Sequence, residues 1–509
     1  MVEDLDVDEW ELYDALAKVT ETNSLEVIRS KKVKLPDDVV RWTNVVGEFS
    51  LYNDYSAKMS YFVSLGQILK DSIRVPIGRL SLDPRIHYCW IQTSRSGKTT
   101  MFDFLNPVWK ETFKLINNHP ITKNKLPLSG VSEFTLNNPD SFTDQSLLGT
   151  MRMGVPNPDY DRAEAREDDD YDTPEMVDLT IFGSLFGSGI IAFDEFEHSG
   201  IFKESQHKQE TVMLFQKFMN RLDSDSHLIR KRLTDWGKDL VVDSQRSLWA
   251  TTLPPEGLEK VILTKGVFQR MWLYVRDVPE SLRSQMEEDY IDMIGEIVED
   301  EDGSATYHEE FSEMLYSTYQ WVQERLVAVD GDKRKVVYFT PDAQKRLKTV
   351  WKGMRKYMNS FDDNIYEALN TFLMNMINNI CIAAALCAIT ERSETITAKH
   401  INQGRQLTDE SFDSITTWFT DKLKKRPNKR FNDKHNEKMY VSAFNSTSPK
   451  VKVNGINGWV NKKLMIEAFR KNEQCGRNKF YRHWQEVKHI FEELRTTQTY
   501  VKLKVEKDE

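Results

Sequence analysis

Two stretches of the chain combine residue types that phosphate chemistry requires, and the first is a loop. Gln92 to Thr99, with the sequence QTSRSGKT, follows a short apolar run and precedes a helical pattern. In such a loop the backbone N–H groups at the start of a helix point at an anion, and the helix dipole adds to the attraction. Lys98 would supply a charge to the terminal phosphates, and the Thr99 hydroxyl would bind Mg²⁺. The predicted nucleotide-binding residues are Ser94, Ser96, Gly97, Lys98, Thr99 and Thr100.

The second stretch is a short apolar run that ends in two acids. Ile190 to Phe193 is long enough for one buried strand, and Asp194 and Glu195 follow at once. In α/β sheets the carboxyl ends of the strands are where ligands bind. One acid can hold a metal-bound water while the next orients a second water for attack on a phosphate. We therefore expect Thr99 and Asp194 to be the metal ligands and Glu195 to be catalytic.

A basic cluster follows these two stretches. Two short apolar segments flank the turn from Asp235 to Lys238, which predicts a β-hairpin. A basic cluster beside the aromatic Trp236 can bind a nucleic-acid backbone, although a solvated basic turn is the alternative. Its basic residues are Arg230, Lys231, Arg232 and Lys238.

Two further apolar segments come next. The segment from Ser247 ends in the hydroxyls of Thr251 and Thr252, and Arg270 directly precedes another predicted strand. An arginine at such a point can reach the γ-phosphate of a neighbouring subunit and stabilise the charge of the transition state. The alternative for Arg270 is an ordinary surface arginine.

The order of these elements resembles the AAA+ ATPase core, and its details resemble the minichromosome maintenance (MCM) replicative helicases and their viral or plasmid relatives. Gly183–Phe196 (GSLFGSGIIAFDEF) is similar to the Walker B segment of that family, and Ser247–Pro254 to its sensor-1 strand. Phe268–Met271 is similar to its arginine finger, and the basic hairpin lies where the family has a pore-facing hairpin. The resemblance covers about residues 75–405 and implies ATP and Mg²⁺ as cofactors and a homo-oligomeric ring, a hexamer.

The chain departs from the family pattern at several points. Gln92 stands where the phosphate loop ordinarily has its first glycine, and Leu253 stands where sensor 1 ordinarily has asparagine. Thr252, directly before Leu253, is then the candidate for the catalytic sensor-1 role. The family's N-terminal OB and zinc domain has no counterpart, and the helix from Asn364 to Ile377 contains no arginine to match the one in the family's lid.

Composition and charge narrow the class of protein. The chain has 509 residues with 39% hydrophobic and 29% charged side chains, which predicts a soluble protein of about two to four domains. Its net charge of -10 leaves nucleic-acid binding to local basic patches. Four scattered cysteines and an acidic N-terminus argue against a zinc site, a disulfide framework and a signal peptide. We expect a cytoplasmic location, in a prokaryotic or virus-infected cell, and no membrane contact.

The sequence predicts an α/β fold: an AAA+ P-loop ATPase core with a helical lid and a C-terminal winged-helix domain. The predicted segments are an N-terminal helical segment (1–75), the core (76–335), the lid (336–420), a basic linker (421–450) and the winged helix (451–509). The second helix of the winged-helix domain would carry Arg477, Lys479 and Arg482 toward DNA phosphates, although winged helices also dock proteins. The acidic segment 156–174 is expected to be a solvated loop.

These features predict an ATP-driven, ring-forming DNA helicase or translocase that replicates a viral or mobile element. A single DNA strand would pass through the pore, duplex DNA would meet the winged helix, and a separate primase or other replication protein would assist. The alternative is a nucleotide-switched DNA-binding initiator or assembly regulator without unwinding activity. A metabolic P-loop enzyme is disfavoured because it needs neither the basic hairpin nor the winged helix.

Overall fold

The computed structural model divides the chain into two compact units, residues 1–423 and 424–509. It describes residues 33–49, 53–94, 96–123, 133–139, 142–157, 160, 173–199, 201, 209–233, 238–254, 266–276, 284, 288, 291, 301–327, 334–358, 363–425, 433–454, 456–472, 480, 484, 490–496 and 498–503.

The helices of the first unit are α1 (Asp37–Phe49), α2 (Asp54–Ile68), α3 (Lys98–Asn118), α4 (Asp144–Leu147), α5 (Gln209–Phe218), α6 (Glu301–Val322), α7 (Pro341–Met358), α8 (Asp363–Thr390) and α9 (Ala398–Lys425). Its strands are β1 (Ile73–Ile77), β2 (Leu80–Leu82), β3 (Tyr88–Ile91), β4 (Phe134–Asn137), β5 (Gly149–Pro156), β6 (Met176–Phe182), β7 (Gly187–Phe193), β8 (Ile229–Leu233), β9 (Lys238–Val242), β10 (Ser244–Thr252), β11 (Trp272–Val275), β12 (Lys335–Val336), β13 (Tyr338–Phe339) and β14 (Thr395–Ile396).

A five-stranded parallel sheet forms the centre of the first unit, in the order β11-β3-β10-β7-β4. Every residue of β3, β7 and β11 is buried, as expected when both faces of a parallel sheet are covered. The predicted α/β class is confirmed. Strand β10 comes late in the chain but lies between β3 and β7, so the carboxyl ends of these three strands are neighbours.

Helices α2 and α3 pack against this sheet, and α6 packs against α3. Helix α3 buries Met101, Leu105 and Val108 at helical spacing, which explains its position against the sheet. The buried indole of Trp109 on α3 donates to Ser64 Oγ of α2 at 2.6 Å. The N-terminal segment, expected to be helical to residue 75, contains α1 and α2 but ends in β1, and residues 1–32 lie outside the described chain.

Three long helices, α7, α8 and α9, occupy the region where a helical lid is predicted. Helix α7 begins at Pro341 directly after Thr340, as the sequence predicts. The run from Ile380 to Ile389 is buried within α8, as expected. None of the described helices combines the length and the apolar character needed to cross a membrane.

The second unit contains α10 (Asp433–Ser446), β15 (Val451–Val453), β16 (Ile456–Asn461), α11 (Lys462–Asn472), β17 (Phe491–Arg495) and β18 (Thr499–Leu503). Its strands form an antiparallel sheet in the order β15-β16-β18-β17. Residues 433–446, expected in the basic linker, instead form α10, because Tyr440, Ala443 and Phe444 are buried in the core of this unit.

Two element boundaries in the second unit differ from the prediction. The sequence predicts the first helix of the winged-helix domain over Trp459–Arg470, but Trp459 and Val460 belong to β16, because both are buried on the sheet. It predicts the second helix over Arg477–Glu492, but Phe491 and Glu492 belong to β17. The residues of that helix predicted to bind DNA, Arg477, Lys479 and Arg482, lie outside the described chain, as does most of the acidic segment (158–159 and 161–172).

Candidate functional site

The loop between β3 and α3 lies at the carboxyl edge of the central sheet. Gly97 precedes the first residue of α3 with φ 74°, a backbone conformation that glycine adopts without strain. Ser96 is buried beside it, whereas Ser94, Thr99 and Thr100 are exposed. The predicted loop therefore forms at the expected helix N-terminus, with hydroxyls on its open side.

Lys98 folds back onto the loop. Its Nζ donates to the carbonyl oxygens of Gln92 at 2.8 Å and Thr93 at 2.9 Å and to Ser96 Oγ at 3.0 Å. Burial lowers the pKa of Lys98 to about 8, against the opposite influence of the Asp194 and Glu197 carboxylates. The ammonium thus remains charged at neutral pH while its direct partners are neutral oxygens. A phosphate would supply the anionic partner that these contacts lack.

Thr99 and Asp194 meet across the edge of the sheet, as the metal-site prediction requires. Thr99 Oγ1 lies 3.4 Å from Asp194 Oδ2, and Thr251 Oγ1 donates to Asp194 Oδ1 at 2.6 Å. These are the hard oxygen donors that Mg²⁺ prefers, and Mg²⁺ binds few protein groups when a nucleotide supplies phosphates. Among the described residues, no three His, Cys, Asp or Glu side chains gather as a metal cage. The donor set fits a magnesium–nucleotide complex.

Gln92, which replaces the first glycine of the loop pattern, is buried in the core. Its Oε1 accepts a hydrogen bond from Trp90 Nε1 at 2.7 Å and a longer one from Asn53 Nδ2 at 3.4 Å. Its backbone N–H donates to the carbonyl of Thr252 at 3.1 Å. The loop is therefore anchored at its start by a side chain that a glycine would lack.

At the end of β10, where the sequence predicts a sensor-1 residue, Thr252 faces the interior and Leu253 faces solvent. Thr252 is 1% exposed and its hydroxyl donates to Glu197 Oε2, whereas the Leu253 side chain is 43% exposed. Glu197 was not among the predicted site residues. The sequence signal that could have identified Glu197 is its position three residues after Asp194. One 3₁₀-helical turn brings side chains at this spacing to the same side of the chain.

Glu195 lies at the same edge but turns outward. Its side chain is 70% exposed and its Oε2 lies 3.3 Å from His198 Nε2. Its backbone has φ 56°, an unusual conformation for a residue other than glycine. This conformation begins the 3₁₀ turn Phe196–Ser199, in which the N–H of His198 donates to the carbonyl of Glu195. The two predicted acids thus separate, with Asp194 facing Thr99 and Glu195 facing solvent.

Arg270 lies at the opposite edge of the sheet from Lys98. It ends the 3₁₀ turn Phe268–Arg270, and Met271 separates it from β11, which runs parallel to β3. Its Nη1 donates to the carbonyl of Gly266 at 2.7 Å. The side chain borders an open cavity of about 330 Å³ that is also lined by Arg85, Arg221, Asn375, Asn378 and Asn379. The structure therefore does not bring Arg270 to the Lys98 site of the same chain.

The predicted basic hairpin is present as the antiparallel pair β8 and β9, with Arg230 opposite Val241 and Lys231 opposite Leu240. Arg230 is exposed and Lys231 is half-buried. The turn residues 234–237, Trp236 among them, and the side chains of Arg232 and Lys238 lie outside what the structure describes.

No model of a known protein family matches the chain, and no curated protein matches it. The resemblance to MCM-like AAA+ ATPases therefore rests on the motifs and on the compatible α/β architecture.

Proposed function

We propose that the protein is an ATP hydrolase of the MCM-like AAA+ type, a ring-forming DNA helicase or translocase that replicates a viral or mobile element. One observation carries the proposal: Lys98, Thr99 and Asp194 converge on one edge of a parallel sheet. Thr99 and Asp194 are in contact there although they are 95 residues apart in the chain. This convergence supports a site for a triphosphate with its metal ion.

The roles follow from the chemistry of these groups. The N–H groups at the start of α3 and the Lys98 ammonium would bind the phosphates, and the Thr99 hydroxyl and the Asp194 carboxylate, the latter through water, would hold Mg²⁺. The metal ion would supply positive charge that stabilises the transferred phosphoryl group. Thr251 fixes the orientation of Asp194 through their 2.6 Å hydrogen bond. Of the carboxylates after Asp194, either Glu195 or Glu197 orients the attacking water.

The position of Arg270 supports the proposed ring. Each copy has the Lys98 loop at the carboxyl edge of the sheet and Arg270 at the amino edge. An arginine that acts on a phosphate from there would act on the nucleotide of another copy, and repeating that contact head to tail generates a ring where the rotation closes. We propose a hexamer, as the family resemblance implies.

DNA binding is assigned to the basic hairpin. Arg230 projects into solvent from a two-stranded ribbon, in a chain whose net charge of -10 gives no general attraction to DNA. A local basic ribbon can follow a phosphate backbone. The hairpins of the ring would grip one strand, and the second unit would contact duplex DNA.

The nucleotide assignment is tested with Lys98→Ala. We expect loss of fluorescent ATP-analogue binding and of DNA-stimulated phosphate release, because the proposal assigns the charge on the terminal phosphates to the Lys98 ammonium. Lys110→Ala, an exposed position on the same helix, is the matched control and should behave as wild type. Normal ATP turnover by Lys98→Ala would contradict the proposal.

The motor assignment is tested by strand displacement on forked DNA with ATP. Replacing Arg230, Lys231 and Arg232 by alanine should abolish unwinding, while alanine at three exposed lysines of α7 (Lys345, Lys348 and Lys352) should not. ATP turnover without any unwinding by the wild type would favour the alternative, a nucleotide-switched DNA-binding initiator or regulator.

A further inference from the structure

The edge of the sheet holds a carboxylate–hydroxyl pair that the motif pattern does not include. Glu197 lies on the 3₁₀ turn after β7, and Thr252 is the last residue of β10, the neighbouring strand. The Thr252 hydroxyl donates its hydrogen to Glu197 Oε2. Both residues stand within a few positions of the groups assigned to metal and phosphate.

Burial makes this pair costly unless it serves the site or the fold. Thr252 is 1% exposed, and Glu197 is partly buried and accepts a charge-assisted hydrogen bond. The negative charge of Glu197 acts on the Lys98 ammonium and also on the buried thiol of Cys89, whose pKa it helps to raise after burial itself. The Glu197 carboxylate is therefore held at the end of β10, within electrostatic reach of Lys98.

Glu195 faces the other way. Its side chain is 70% exposed and is paired with the equally exposed His198. Its positive φ turns the chain at the end of β7, and this turn brings Glu197 back over the end of β10. Glu195 thus shapes the turn, and Glu197 occupies the site.

From this geometry we infer that Glu197, held by Thr252, is the carboxylate that orients the water for attack on the γ-phosphate. The inference rests on the proposed ATP hydrolysis. The Thr252 hydroxyl hydrogen has two acceptors within reach, Glu197 Oε2 and, at 3.0 Å, the carbonyl oxygen of Leu253, so toward a water the Thr252 oxygen would act as acceptor. Glu197 keeps a second carboxylate oxygen as another acceptor. Two acceptors match the two O–H groups of one water and leave its lone pair directed away from them.

The chemical step is then balanced as follows. The water oxygen bonds to the γ-phosphorus, and the bond from that phosphorus to the bridging oxygen breaks, with its electron pair remaining on ADP. One water proton stays on the new P–OH group. The other passes to Glu197, which returns it to solvent when the products leave.

The test compares Glu197→Gln with Glu195→Gln in the full-length protein, with Glu309→Gln on the exposed face of α6 as control. Glutamine at 197 can still accept the Thr252 hydrogen bond through its carbonyl oxygen, but it lacks the negative charge and the second acceptor oxygen that would take the proton. We expect kcat for ATP to fall at least about 100-fold with the dissociation constant of a fluorescent ATP analogue changed less than about threefold, as for loss of a general base. Glu195→Gln should lose less activity than Glu197→Gln.

A second pair of variants keeps the inference independent of folding defects. Thr252→Ser retains the hydroxyl and should keep most of the activity, whereas Thr252→Val should lose about tenfold or more in kcat. The losses of Thr252→Val and Glu197→Gln should not be additive, because the two groups act on one water.

The outcomes separate this inference from the proposed function. Glu197→Gln that retains more than about a tenth of wild-type kcat, or Glu195→Gln that loses as much, overturns the role of Glu197 and leaves ATP hydrolysis standing. A wild-type protein that neither binds the analogue nor releases phosphate overturns both.

Discussion

The side chain of Gln92 anchors the loop before α3 to the protein core. A glycine at this position would leave the buried Trp90 indole N–H without its 2.7 Å acceptor. The side chain instead joins the loop to β3 through Trp90 and to the residue before α2 through Asn53. The loop is stabilised from the side of the core, where the sequence pattern alone shows only a mismatch.

Replacing Gln92 by alanine should lower the free energy of unfolding by about 1–3 kcal/mol, the cost of an unsatisfied buried donor. Thermal and denaturant unfolding measure this change. Trp90→Phe removes the donor, so in the double variant the two effects should be markedly less than additive. Additive effects, or a Gln92→Ala variant as stable as wild type, would contradict this account of the loop.

At the scale of elements, the basic hairpin is closed at its base by an ion pair. His227 precedes β8 and Asp243 follows β9, and His227 Nε2 lies 3.0 Å from Asp243 Oδ1. This hydrogen bond raises the pKa of His227. Burial opposes ionisation of Asp243, but its hydrogen bonds with His227 and Gln245 lower its pKa overall. The pair therefore aligns the two strands most strongly when both groups are charged.

The sign of the pH dependence follows from these shifts. Protonated His227 contributes to the free energy of unfolding. This contribution is complete below the unfolded pKa of 6.5 and is lost as the pH rises through the higher pKa of the folded state. The contribution of Asp243 is present above 3.8 and is lost only below that value. Asp243→Asn should thus reduce the free energy of unfolding by about 0.5–1 kcal/mol near pH 6 and by less near pH 8.5. A difference independent of pH, measured by urea unfolding, would rule out the charged pair.

Alanine substitutions at two glycines, Gly189 and Gly353, compare the effect of close packing in the sheet with that of helix propensity on stability. At Gly189 on β7 the backbone has φ 115°, and an added Cβ would lie 1.9 Å from the Thr135 carbonyl oxygen of β4. Gly189→Ala should therefore cost several kcal/mol, more than about 3. Gly353→Ala, inside α7 with nothing within 4 Å, should instead stabilise by about 0.5–1 kcal/mol. Equal melting temperatures for the two variants would be incompatible with this packing.

At the scale of the whole molecule, the Lys98 loop and Arg270 lie on opposite edges of one sheet. In the proposed ring, each of these edges would meet the other edge of a neighbouring subunit. Mixtures of subunits test this arrangement, because the proposed site combines the Lys98 loop of one subunit with Arg270 of the next.

Mixing Lys98→Ala subunits with Arg270→Ala subunits should restore part of the ATP turnover that each variant lacks. An Arg270→Ala subunit keeps its own Lys98 and receives Arg270 from its Lys98→Ala neighbour. Arg79→Ala, an exposed arginine in the turn between β1 and β2, is the control and should be fully active alone. No recovery at any ratio, with mixed oligomers detected by mass, would exclude a shared site.

The sequence by itself determined the local features: the loop that ends in Gly97, the buried strand before Asp194, the hairpin of β8 and β9, and the start of α7 at Pro341. Each depends on turn chemistry and hydrophobic period within about twenty residues, which a single sequence displays.

Only the tertiary structure decided which groups meet. The insertion of β10 between β3 and β7 brings Thr251 to Asp194 and Thr252 to Glu197, and it joins the backbone of Gln92 to that of Thr252. The sequence could not show this, because the order of the strands depends on pairing between distant segments. The directions of the Glu195 and Glu197 side chains depend on a single turn at Glu195. The extent of α10 and β16 was hidden for the same reason, since burial in a shared core overrode local composition.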